Sequence, residues 1–101
     1  MGAVVINVTQ MLRPFFADRG GPIVLAQVEN ELHTSDQNYV DFCGQLTIET
    51  GVPIPWEMCN GNSANVTINS CNSGDCTSFI ESNGQNGQVL ITQPGLWTVR
   101  I

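Results

Sequence analysis

Apolar positions in the first part of the chain recur with helical spacing. Between residues 3 and 19, Val4, Val8, Met11, Leu12, Phe15 and Phe16 follow the i, i+4, i+7, i+8 rule of one buried helical face. Pro14 lacks an amide hydrogen and disfavours helical geometry in Arg13, which predicts a kink there, and Gly20-Gly21-Pro22 ends the element. The pattern then changes. Ile23 to Val28 is a continuous aliphatic run between Gly-Pro and Glu29-Asn30-Glu31, as expected of a short strand buried on both faces. A loop over 32–36 follows, in which Thr34 and Gln37 have capping-box spacing. Tyr39, Cys43, Leu46 and Thr50 then mark a second helix, ended by Gly51. Further strands are predicted at 53–59, where Ile54, Trp56 and Met58 alternate, at 66–69, and at 89–91 with 96–98. Asn60-Gly61-Asn62-Ser63 is a turn signal, and 82–88 is a polar connector.

Strands alternating with helices or long crossovers imply β-α-β units, hence an α/β fold with a parallel sheet. Ligands meet such sheets at the carboxyl ends of the strands. Glu29, Asn30 and Glu31 fall at that end of the first strand, with no basic residue close in sequence. A carboxylate set among amides rather than cations has a poorly solvated charge, which raises its pKa and suits it to acid catalysis. Glu31 is the candidate for that role. Charge placement alone favours a solvated strand end over a catalytic group.

The 101 residues predict one domain, 1–101. Charged residues make up 12%, about half the usual share. The formal charge of −6, with Arg13, Arg19 and Arg100 as the basic residues, argues against a nucleic-acid or anionic-membrane partner, since both need a basic surface. No apolar run approaches the roughly 20 residues of a membrane span, and residues 3–8 are too short, without a positive flank, for a secretory signal. Four cysteines and a single histidine, His33, lack the paired spacing of a zinc ribbon, so no metal or other cofactor is expected. Disulfides and buried thiols are both compatible with Cys43, Cys59, Cys71 and Cys76. Cys71 and Cys76 are placed to clip a loop, and Cys43 reads as a small buried hydrophobe. Cys59 has either loop cysteine as a potential partner. The sequons Asn7-Val8-Thr9 and Asn65-Val66-Thr67 favour a secretory setting. Trp56 reads as core in preference to a sugar-stacking platform, and His33 as a loop residue.

The stretch "RPFFADRGGPIVLAQVENEL" resembles the fourth-strand region of the glycoside hydrolase family 35 β-galactosidases, in which Gly-Gly-Pro and an aliphatic run lead into Glu-Asn-Glu. The likeness continues in "TGVPIPWEMCNG", where the family has Thr-Gly-Val-Pro-Trp-Val-Met-Cys, and in "TINSCNSGDC", similar to the Ile-Asn-Thr-Cys-Asn-Gly-x-x-Cys of its plant-like members. It spans roughly residues 10–98. The resemblance implies a retaining β-galactosidase on a (β/α)8 barrel, of which this chain holds the third helix through the approach to the seventh strand. Glu31 would be the general acid/base and Asn30 would bind sugar hydroxyls. Glu29 would support them from the barrel interior or the galactose pocket. Asn30 and Glu31 can reach one sugar only if the strand twists or bulges, so irregular geometry is expected at 29–31. The parent would be extracellular, in the cell wall, or vacuolar or lysosomal.

One departure matters. "ITQPGLWTVRI" is similar to the approach to the family's seventh strand, where Trp-Thr precedes the nucleophilic glutamate; here Val99 follows Trp97-Thr98. Retention requires two carboxyl groups about 5 to 5.5 Å apart, and a complete barrel about 250 residues. The expectation is a chain without hydrolase activity, whose open sheet edges and apolar helix faces promote self-association. Two alternatives are a galactoside-binding module that keeps Asn30 and Glu31, and a small disulfide-stapled structural domain.

Overall fold

The computed structural model describes residues 1–31, 34–59, 64–71 and the backbone of 89–91. Helix α1 (Gly2–Leu12) opens the chain. Two short 3-10 turns, Arg13–Phe15 and Ala17–Arg19, follow it. Pro14 thus ends the α-helix at Leu12 instead of kinking a longer one, because its ring leaves no amide to continue the i to i−4 ladder. Asp18 ties the two turns together through paired bonds from the Arg13 guanidinium, 2.6 and 2.5 Å long.

The buried face of α1 lies one position away from the predicted stripe. Val5 and Thr9 are buried, while Val4 and Met11 are 62% and 70% exposed. Beyond the helix Phe16 is fully buried and Phe15 faces solvent. Phe16 stands in extended backbone, φ −76° and ψ 149°, between the two 3-10 turns.

Gly20 takes the left-handed conformation, φ 82°, that closes the second turn. A Cβ on Gly21 would lie 2.1 Å from the Phe15 backbone, so the chain can double back there only through glycine. The return is held by Ala17 and Gly21 amides donating to Ile23 and Phe16 carbonyls at 2.8 and 3.0 Å.

Strand β1 (Ala26–Asn30) starts three residues later than the aliphatic run suggests. Val24 is exposed and Ile23 only bridges to Phe16; regular pairing begins where the Ala26 amide reaches the Pro55 carbonyl. Helix α2 (Gln37–Glu49) follows. Its N-cap is Asp36, whose carboxylate accepts the Asn38 and Tyr39 amides, while Thr34 Oγ accepts the Asp36 amide. The predicted Thr34/Gln37 box is displaced because an aspartate two residues nearer the helix offers a charged acceptor to the same amides. Strands β2 (Trp56–Cys59), β3 (Ile68–Cys71) and β4 (Val89–Ile91) complete a sheet of order β1-β2-β3-β4 in which every neighbouring pair is parallel.

The α/β class with a parallel sheet is therefore observed. The core forms between α2 and one face of the sheet: Phe16, Ala26, Val28, Val40, Cys43, Val52, Trp56, Met58 and Ala64 pack together. Trp56 belongs to this core, as predicted. Cys43 and Cys59 are buried, reduced thiols. Cys71 is disulfide-bonded to a partner outside the described residues, so the Cys59 pairing left open by the sequence is not the one formed. The predicted turn at 60–63, the connector at 82–88, the strand at 96–98, His33, Cys76 and Val99 lie outside the described residues.

Candidate active site

The carboxyl ends of β1 and β2 meet at one edge of the sheet. Ala26 pairs with Trp56 and Gln27 with Glu57, but the next partners are Glu29 with Met58 and Asn30 with Cys59. Val28 is the additional residue, so Val28 and Glu29 together oppose Met58 in a β-bulge. This reverses the alternation beyond Val28. In an unbroken strand Gln27, Glu29 and Glu31 would share a face; with the bulge, Gln27 and Asn30 share one, beside Glu57 and Cys59, and Glu29 moves to the core face with Met58.

The side chains agree with this register. Gln27 Nε2 donates to Asn30 Oδ1 at 3.0 Å and to the Glu29 carbonyl at 2.8 Å, bracing the bulge from the polar face. From the opposite face the Tyr39 hydroxyl of α2 donates to Glu29 Oε1 at 2.5 Å, and the Met1 sulfur lies 3.3 Å from the same hydroxyl. Tyr39 has its pKa raised well above that of an ordinary phenol, first by its bond to the Glu29 carboxylate and then by burial. Burial likewise raises the Cys43 thiol, one helical turn along α2.

Glu31 stands one residue beyond β1, exposed, with φ 56°. Its amide still donates to the Cys59 carbonyl at 2.8 Å, so the ladder continues into a residue whose own conformation is left-handed. A left-handed non-glycine residue costs about 1–2 kcal/mol and marks a position worth functional attention. The irregularity expected at 29–31 is present and begins earlier, at Gln27. The poor solvation expected of Glu31 is not supplied by the described residues, since a β-strand end at an open sheet edge faces water.

Asn30, which the resemblance implies binds sugar hydroxyls, and Glu29, which it implies supports the site from the barrel interior or the galactose pocket, are thus separated: Asn30 is half-buried on the polar face and Glu29 is turned toward α2. Four residues to which sequence reasoning gave no part in the site enter the picture. Gln27 and Glu57 are buried on the polar face at 4% and 1% exposure, and their signal was a polar residue inside an otherwise apolar strand. Tyr39 read only as one member of a helical stripe. Ser70, fully buried on β3, donates to the Met58 carbonyl at 3.1 Å and secures the third strand at the same edge. Among the described residues no group of three or more His, Cys, Asp or Glu is placed to hold a metal.

Carboxylate and amide groups thus gather at the carboxyl edge of a parallel α/β sheet, the edge at which open sheets of this class generally bind their ligands. The family model of the glycosyl hydrolases family 35 matches residues 1–100. The chain belongs to that family. Probable beta-galactosidase 2 of Dictyostelium discoideum is 37% identical over 102 residues, covering 90% of this chain and 12% of that protein. Beta-galactosidase 11 of Arabidopsis thaliana is 36% identical over 92 residues, covering 82% and 10%. Beta-galactosidase 12 of Oryza sativa subsp. japonica is 32% identical over 94 residues, covering 82% and 9%. The chain spans about a tenth of the length of these curated relatives.

Proposed function

We propose that the chain is a segment of a retaining β-galactosidase barrel, running from the third helix to the approach to the seventh strand, with Glu31 as general acid/base and Asn30 as a ligand of the sugar hydroxyls. One observation carries the reading: the bulge in β1 ends a parallel strand with Asn30 on the polar face and Glu31 in a left-handed conformation immediately beyond it. The sugar would lie against the carboxyl edge of the sheet, Asn30 holding it while Glu31 protonates the departing oxygen. Walls contributed by the rest of such a barrel would exclude water from Glu31.

The second carboxyl group of a retaining mechanism is absent where the family motif would put it, since Val99 follows Trp97-Thr98. Purified chain is therefore expected to release no aglycone from a chromogenic β-galactoside. A direct test transplants residues 20–59 into an active family member in place of the matching stretch. Glu31→Gln in that protein should lower kcat about 10²- to 10⁴-fold on galactosides with poor leaving groups and far less on activated ones, which need no acid. Equal loss on both, or no loss, overturns the assignment.

Exposed Val4, Met11, Phe15 and Val24 support self-association of the isolated chain. The disulfide at Cys71 supports an oxidising compartment, outside the cell, in its wall, or in the vacuole or lysosome.

A further inference from the structure

We propose that Glu29 is a positioning residue and not a sugar ligand: its carboxylate, clasped by the Tyr39 hydroxyl, fastens the bulged end of β1 to α2 and so fixes how Asn30 and Glu31 leave the sheet. The roles of Asn30 and Glu31 rest on the functional reading above; the clasp itself does not.

A β-bulge interrupts the ladder, and an unbulged β1 is its obvious competitor. In that register Glu29 would turn to the face of Gln27, and Asn30 to the core. Two side chains oppose the slip, one from each side of the sheet. Gln27 binds Asn30 and the Glu29 carbonyl on the polar face, and Tyr39 binds the Glu29 carboxylate on the helix face. Tyr39 is itself fixed by the helix, because Asp36 caps its amide. The clasp therefore connects the N-terminus of α2 to the end of β1 and, through the Glu31 amide, to the Cys59 carbonyl of β2.

Around the Tyr39 hydroxyl, the described neighbours with ionisable or polarisable groups are Glu29 from β1, Cys43 from α2 and Met1 from the segment preceding α1. A negative acceptor at this distance holds the phenol protonated.

The chain contains one tyrosine, so phenolate absorbance reports Tyr39 alone. Its alkaline titration should lie above that of free tyrosine in the unaltered chain and fall toward it in Glu29→Gln. The side-chain amide introduced by that substitution keeps an acceptor oxygen in place, so the Glu31 amide should stay protected from hydrogen exchange in the variant. Tyr39→Phe, which deletes a single oxygen and leaves the fold to stand, should speed Glu31 exchange about tenfold or more relative to the α2 amides, as should Glu29→Ala. Exchange at Glu31 within about twofold of the unaltered chain in Tyr39→Phe overturns the proposal, as does an unmoved Tyr39 titration in Glu29→Gln. These readouts need no turnover: failure of the Glu31→Gln test with the clasp intact would sink the functional reading alone.

Discussion

Glu31 combines a charged side chain with a backbone conformation suited to glycine, φ 56°. Stability and chemistry should therefore respond in opposite directions there. Glu31→Gly relieves a left-handed strain of about 1–2 kcal/mol against an entropic cost of about 0.5–1 kcal/mol, so the chain should gain up to about 1.5 kcal/mol in urea unfolding while losing the proposed acid. Tyr39 sets a second expectation at this scale. Its folded-state pKa is raised, so the stabilisation it contributes is fully present below the ordinary phenol value of about 10 and is lost as pH rises through the raised value. Melting temperatures measured from pH 9 upward should fall more steeply for the unaltered chain than for Tyr39→Phe.

Helix α2 is the element that holds the site in register, and two contacts fix it. Asp36 caps it, and Asp36→Ala should lower stability by about 1 kcal/mol in denaturant titrations. Gly44 faces the segment before β3 so closely that a Cβ would lie 2.4 Å from the Ala64 Cβ. Alanine gains about 1 kcal/mol in helix propensity, but overpacking of a close contact costs about 1–3 kcal/mol. Gly44→Ala should thus be destabilising on balance, by up to about 2 kcal/mol, in the same assay. A stabilised variant would mean that the Ala64 segment yields freely.

At the scale of the whole molecule, the sheet is shielded on one face by α2 and the 3-10 turns, while large apolar side chains elsewhere remain in water. Val4, Met11, Phe15, Val24, Phe42, Ile48 and Val66 are each 46% exposed or more. They are the side chains through which the proposed association would run. Sedimentation velocity should show species heavier than the 10.9 kDa monomer, their population rising with concentration. A single monomeric boundary at high concentration would contradict this.

Sequence alone determined the order of the α-helices and strands among the described residues, the parallel α/β class, the family and the carboxyl-edge location of Glu29-Asn30-Glu31, because these depend on local periodicity, turn residues and a contiguous motif. It also announced an irregularity, since strict alternation could not bring Asn30 and Glu31 to one ligand. Which residue bulged, and on which face each acid emerged, depended on the neighbouring strand: Met58 opposes both Val28 and Glu29, and no pattern within residues 23–31 encodes that count. The turning of Glu29 toward Tyr39 and the one-position offset of the α1 face were likewise decided by packing between segments distant in sequence, where burial and hydrogen bonding outweigh local preference.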